Sequence, residues 1–318
     1  MEMGETLPTY AMELGSAAKA VGSAMAQLLA AADQGNAAYT GKAARETSNA
    51  VKQLTHVVYG VAAGMTDRND QQEILDAGKH VVAESESLLR EVKGIVEVPH
   101  QPNKKAKLSQ SAKAVSQALN ELVDCLPAQK EIAAAIRTVA NAVKEAEGIK
   151  PPKGQSYQSL QNSLSVAASD LNQLANEMYT VGKTNPDQLP QAATAYAQKF
   201  KEMVNAGMAL AAASQDKDLQ RSMTANLRAV SLTSGNVLLT VKGLAADPNA
   251  PNALSQLSAA ARGVTDAIND LLNIMSSAAP GQKECDDALR KIEVGERSSA
   301  FALSVCHGPF VLHMFVGC

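Results

Sequence analysis

The stretch LSAAARGVTDAINDLLNIM, residues 257–275, places Leu257, Ala260, Ala261, Val264, Ile268, Leu271, Leu272 and Met275 at steps of three and four. A helix turns once in about 3.6 residues, so these side chains line a single stripe. Arg262, Asp266, Asn269, Asp270 and Asn273 fall on the opposite side. The stretch reads as an amphipathic helix. What its stripe faces is the functional question: neighbouring helices of its own fold, a partner, or each in turn.

The same spacing recurs in the chain. Leu14, Ala17, Ala18, Val21, Met25, Leu28 and Leu29 form one such row, and Leu108, Ala112, Val115, Leu119, Leu122 and Val123 form another. Aromatic residues make up 3% of the chain, tryptophan is absent and alanine is in excess. Alanine favours helix, and small side chains let helices approach closely. Alternation of β-branched and polar residues is missing. The fold class is all-α.

Punctuation marks about ten helical stretches: 10–33, 37–65, 71–97, 108–126, 129–147, 156–182, 187–214, 217–246, 252–277 and 282–293. Short connectors between long helices imply antiparallel neighbours. The strongest break is GIKPPKGQS at 148–156, with two prolines and two glycines. We therefore expect two tandem five-helix up-and-down bundles, residues 5–149 and 152–293. A repeat supports two equivalent halves. VSQALNELV at 115–123 matches VTDAINDLL at 264–272, while PAQKEI at 127–132 matches PGQKEC at 280–285, with Ile136-Arg137 matching Leu289-Arg290. A period near 150 residues is a repeated domain, not a solenoid unit. Residues 294–318 lose the alanine-rich pattern and read as a divergent, unstructured tail.

Catalysis finds no support. Phosphate-loop, dinucleotide, zinc-protease and nucleophile-elbow motifs are missing. His56 and His80 read as partly buried, satisfied side chains. The acidic run at 216–218 reads as a helix cap and Lys104, Lys105 and Lys107 as a solvated loop. Cys306, His307, His313 and Cys318 lack zinc-site spacing, and the four cysteines (Cys125, Cys285, Cys306 and Cys318) read as free thiols of a reducing compartment. We expect no enzyme, metal or cofactor. A net charge of −3 gives no reason to expect nucleic acid. No signal peptide is visible and no apolar run reaches membrane-spanning length, so a cytoplasmic protein without membrane insertion is expected.

Residues 257–275 also follow the order L-x-x-A-A-x-x-V-A-x-x-V-x-x-L-I-x-x-A, and in this they resemble the vinculin-binding motif of talin. Leu257, Ala260, Ala261, Val264 and Leu271 match it. Ile268 and Leu272 are conservative replacements, and Thr265 and Met275 each replace an alanine. AVSQALNELVDCLP, DPNAPN and APGQKECDDALR resemble the talin central rod, over residues 10–293, about its fifth and sixth bundles. The resemblance implies a cytoskeletal adaptor rod with a cryptic vinculin-head site at 257–275. The rows in 14–29 and 108–123 are weaker candidates, the latter because Ser111 and Ser116 stand at alanine positions. The resemblance further implies weak F-actin binding, a focal-adhesion or cortical location, and integrin contact only through a head lying outside this chain. A methionine followed directly by rod sequence, with an unrelated tail, leads us to expect a partial product. The rival expectation is a passive helical spacer. A lipid-surface protein would instead carry lysine-edged helices with exposed Trp or Phe.

Overall fold

In a computed structural model, residues 7–97, 104–214 and 216–277 are described. They form nine α-helices: α1 (Leu7–Asp33), α2 (Ala37–Gly64), α3 (Arg68–Glu97), α4 (Lys104–Asp124), α5 (Pro127–Glu145), α6 (Tyr157–Thr184), α7 (Leu189–Ala213), α8 (Lys217–Ala246) and α9 (Ala253–Ser277). A single 3-10 turn at Pro186–Gln188 leads into α7, and no strand occurs among the described residues. The expected stretch 282–293, the tail 294–318 and the cysteines and histidines they contain lie outside those residues.

Local chemistry sets the ends. Asn36 accepts from the Tyr39 N–H at 3.0 Å to open α2, and Ser156 accepts from the Ser159 N–H at 3.1 Å to open α6. Each satisfies one of the amides a helix start leaves without a partner. Pro127 occupies the first turn of α5, where no N–H is needed.

Two apolar cores result. The first runs from Leu14 to Leu126 and is enclosed by α1–α4, each packed on the next, with α4 returning to α1. The second runs from Ile132 to Met275. There α6, α7, α8 and α9 close a ring, and α5 lies outside it along the groove between α7 and α8. The all-α class and the tandem arrangement of bundles are as expected, but the division is not. We expected α5 to end the first bundle, with the boundary at Gly148; α5 instead belongs to the second core. The α4–α5 turn at Leu126 is short, and the stripe of Ile132, Ala135, Val139, Ala142 and Val143 fills the α7/α8 groove. The Pro/Gly stretch after Gly148 reverses the chain within that core. Gly148 and Gly154 take φ of +85° and +82°, the left-handed region open to glycine, and Ile149 and Tyr157 pack against the same second core.

Ion pairs bridge the two cores. Lys130 meets Asp70 at 2.7 Å and Glu73 at 2.5 Å, Lys242 meets Asp124 at 2.7 Å, and Lys19 meets Asp247 at 2.6 Å. The carboxylates around Lys130 hold its ammonium above the usual lysine range.

By length and composition α8 could cross a membrane, unlike the sequence-based expectation. Its apolar side chains have another use here: Leu227, Val230, Val237, Val241 and Leu244 belong to the second core.

The repeat extends into fine detail. Asp67 accepts from the amides of Asn69 (2.7 Å) and Asp70 (3.1 Å), and Asp216, 149 residues on (216 − 67), accepts from those of Asp218 (2.8 Å) and Leu219 (3.2 Å). Gln71 donates to the Met65 carbonyl at 2.6 Å, and its counterpart Gln220 donates to that of Ser214 at 2.7 Å. Close helix approach is kept by a reciprocal exchange. A Cβ on Gly78 would lie 2.9 Å from Val58, whereas at the equivalent pair the glycine is Gly207, where a Cβ would lie 3.0 Å from Leu227. Helices α6–α9 thus repeat α1–α4, and α5 is an addition.

One buried pair breaks the symmetry. The Tyr196 hydroxyl bonds Ser234 Oγ at 2.8 Å inside the second core, and burial holds the Tyr196 phenol far above its usual range. At the equivalent positions, Thr47 turns its hydroxyl to the Ala43 carbonyl at 2.9 Å, and Ser85 Oγ is buried without a partner. An orphaned buried hydroxyl costs about 1–3 kcal/mol. Ser85→Ala is therefore expected to stabilise the first unit, and Ser234→Ala to destabilise the second by about 1–2 kcal/mol. Hydrogen exchange resolved by helix during urea unfolding reads both; opposite signs in the two units are the expected result.

Candidate functional site

The row that decided the fold lies inside it. Leu257, Val264 and Leu271 have no solvent exposure, and Ala261, Ile268 and Met275 are buried with them. Ala260 and Leu272 are half-buried at the edges of the stripe and pack against the same core. Arg262, Asp266, Asn269, Asp270 and Asn273 are exposed, as their spacing requires. Helix α9 rests on α8 and α6, and Leu257 lies close to Gly182 of α6, at whose bare backbone a Cβ would approach it to 3.7 Å.

Two polar contacts tie α9 to α6. The Thr265 hydroxyl is 2.6 Å from Asn172 Oδ1 and 3.2 Å from the Ala261 carbonyl of its own helix. Having one proton, it favours the shorter, cross-helix bond. Thr265, at first sight a weak packer, is thus a clasp between helices. At the far end, Gln161 Nε2 donates to the Met275 carbonyl at 3.3 Å, supplying a partner to the last turn. Neither partner was visible from the sequence of α9. The repeat alone hints at Thr265, since its equivalent on α4 is another hydroxyl, Ser116.

The two weaker rows are also buried. Leu14, Ala18, Val21, Met25 and Leu28 belong to the first core, with Ala17 and Leu29 packed at its edge. On α4, Leu108, Ala112, Val115, Leu119 and Leu122 are in the core and Val123 at its margin. Ser116 is exposed and returns its hydroxyl to the Ala112 carbonyl at 3.0 Å. Burial does not separate the three rows.

No cluster of three or more His, Cys, Asp or Glu side chains that could hold a metal occurs among the described residues. His80 is half exposed between Glu84 (3.5 Å) and Glu121 (3.4 Å), and His56 is exposed; neither shows the partial burial in helix packing expected of it. Cys125 is buried with its thiol pushed up to about 11 by desolvation, opposite to an activated nucleophile. Asp216 is the helix cap its acidic run suggested, whereas Lys104, Lys105 and Lys107 do not form the expected loop: they open α4, whose first turn leaves Lys107 exposed.

Two family models match end to end: the Talin IBS2B domain over residues 10–129 and the Talin 1-like rod segment domain over residues 123–280. They meet where the first core gives way to the second. Talin of Oscarella pearsei is 47% identical over 292 residues, or 91% of this chain and 12% of that protein. Talin-2 of Homo sapiens is 42% identical over 91% of this chain and 11% of its own length, and Talin-1 of Gallus gallus 43% over 91% and 12%. The chain spans about an eighth of the length of these relatives. All are named as talins, and no catalytic family is among them.

Removing the Asn172 side-chain acceptor tests the clasp without altering α9. Asn172→Ala is expected to lower the stability of the second unit by about 1 kcal/mol and to speed amide exchange in α9 while leaving α1–α4 unchanged, as read by exchange mass spectrometry.

Proposed function

The chain belongs to the talin rod family, and from that premise we propose that α9 is a concealed ligand for the vinculin head, released when tension opens the second bundle. The observation that carries the reading is the complete burial of Leu257, Val264 and Leu271, the positions that match the motif's anchors.

An amphipathic helix laid in a partner's groove presents its i, i+3, i+4 and i+7 side chains. In α9 those are the side chains already committed to α6 and α8. One face cannot occupy two grooves, so folding and binding exclude each other. If opening costs about 5 kcal/mol, the low end for a domain, the open fraction is roughly one in several thousand. A nanomolar intrinsic site then presents as a micromolar one. Tension favours the longer, opened chain and removes that penalty. In this reading the segment is part of a cytoskeletal adaptor at adhesions. It bears load towards actin, with at most weak filament contact of its own, and reaches integrin only through regions outside the chain. The α1 and α4 rows are secondary candidates for the same partner.

Titrating purified vinculin head against a peptide of residues 253–277 and against the folded chain tests this. The peptide is expected to bind roughly several thousandfold more tightly, as the opening cost above requires. Ala261→Glu in the peptide should abolish binding, because a carboxylate would be driven into a dry groove. Asn172→Ala in the folded chain, a change outside the ligand helix, should raise binding about fivefold through the 1 kcal/mol it costs the bundle. A peptide that does not bind establishes the passive spacer instead. Equal affinity for peptide and chain would remove concealment as the control.

A further inference from the structure

The repeat leaves one groove without its occupant. In the second unit α5 covers the α7/α8 groove, and twelve residues of α7 and nine of α8 are buried. The equivalent groove lies between α2 and α3, where eight and five are buried. It is lined by Thr55, Tyr59, Leu75 and Val82. Tyr59 is 60% exposed, Val96 farther along α3 is 41% exposed, and Leu75, Val82 and Leu89 are only half-buried in a row seven residues apart. Such a row on the outer edge of a closed ring matches the seam of a further helix.

The contacts that hold α5 show what the groove would accept. Lys201 pairs with Glu145 at 2.9 Å, Arg228 with Glu147 at 3.2 Å, and the Thr194 hydroxyl donates to Glu131 at 3.1 Å. Subtracting 149 places Lys52, Lys79 and Arg45 at those positions. Lys79 is paired with Asp76 at 2.8 Å on its own helix, so the α2/α3 groove is apolar with Arg45 and Lys52 as its basic rim, suited to a helix with small apolar residues on one face and an acidic residue beside them.

The chain contains a second copy of that helix's sequence. Residues 280–293, PGQKECDDALRKIE, repeat α5 at an offset of 153 (280 − 127). Gln129, Ile132, Ala135, Ile136 and Val139 of α5 correspond to Gln282, Cys285, Ala288, Leu289 and Ile292. Of the three acidic residues that hold α5, only Glu131 has an acidic counterpart, Glu284, which would face Arg45 where α5 meets only a threonine; Ser298 and Ala300 stand at the positions of Glu145 and Glu147. We propose that residues 280–293 of one copy of this chain dock as a helix into the α2/α3 groove of a second copy, joining copies head to tail. An interface of this kind is heterologous and extends by repetition. It needs neither vinculin nor the release of α9, so it stands or falls apart from the reading above.

Sedimentation velocity of the full chain, from micromolar to near-millimolar concentration, tests it. The weight-average mass is expected to rise with concentration. Leu289→Glu, in the segment itself, should weaken association at least tenfold, and Val82→Glu on the half-buried outer row should do the same. Circular dichroism checks that Val82→Glu folds, and Leu289→Glu decides alone if it does not. Mixing the two variants is the stringent arm. One retains the segment and the other the groove, so they should form a dimer with each other and nothing larger. A chain that stays monomeric throughout, including one whose segment folds back on its own groove, overturns the proposal, as does association unaffected by Leu289→Glu.

Discussion

Each helix here has one apolar stripe, and a stripe can be buried against only one surface at a time. That exclusion organises the molecule. Side chains that cover a helical stripe contribute about 1.5–3 kcal/mol each when large and fully buried, so a helix that leaves its groove exposes several such groups at once. The bundle and any partner of the same helix therefore compete for the same atoms. The packing that makes the competition steep depends on backbone proximity. Gly78 receives Val58 and Gly207 receives Leu227, two solutions of opposite hand to one spacing problem in equivalent helix pairs. Either exchange keeps the volume of the layer while moving it from one helix to the other, and a protein interior tolerates conserved volume better than added volume.

The two units share a plan but differ in buried polarity. In the second, Tyr196 and Ser234 satisfy each other, and Thr265 and Asn172 clasp α9 to α6. In the first, the shorter Thr47 cannot reach across, and Ser85 is left alone. Satisfied polar pairs in a low-dielectric interior specify one alignment of helices, and an orphan subtracts from stability without specifying anything. The contrast is local to this layer, because the second unit carries an orphan of its own in the Tyr157 hydroxyl at its margin. α5 adds to this difference by covering a groove that the first unit leaves open.

Much of this was legible from residue spacing, because a helix with one wet and one dry face writes its period into the chain. The stripes on α1, α4 and α9, the exposed face from Arg262 to Asn273 and the capping role of Asp216 all follow from local chemistry. The allegiance of α5 was not legible. Its stripe states that it must be covered but not by which neighbours, and the Pro/Gly run after Gly148 marks a reversal of the chain without saying whether the core changes there. The decisive signal was the repeat. Read as helix–Pro–helix it suggested that α5 closed a bundle, whereas α6–α9 repeat α1–α4 at nearly constant offset and leave α5 as the extra piece. Asn172 was invisible for another reason: a cross-helix acceptor 93 residues away from Thr265 leaves no periodic trace.

Periodicity and burial carry the same information, so neither can rank one stripe over another as a ligand. What differs is how much each helix breaks on leaving. α8 packs on α5, α7 and α9, and its loss dismantles the second core; α9 packs mainly on α6 and α8. α4 packs mainly on α3, with a lighter contact to α1, and is easier still to remove. Ease of release alone would therefore favour α4. The quality of the released face argues the other way. Ser111 and Ser116 of α4 correspond to Ala260 and Thr265 of α9, and a hydroxyl driven into a dry groove must find a partner there or be left unpaired. α9 carries one hydroxyl in its stripe against two, and that one can return to the Ala261 carbonyl of its own helix once Asn172 is gone. The choice of α9 thus rests on two opposed quantities, the cost of leaving one groove and the fit to the next. The helix that balances them is held by a clasp instead of being loosely packed.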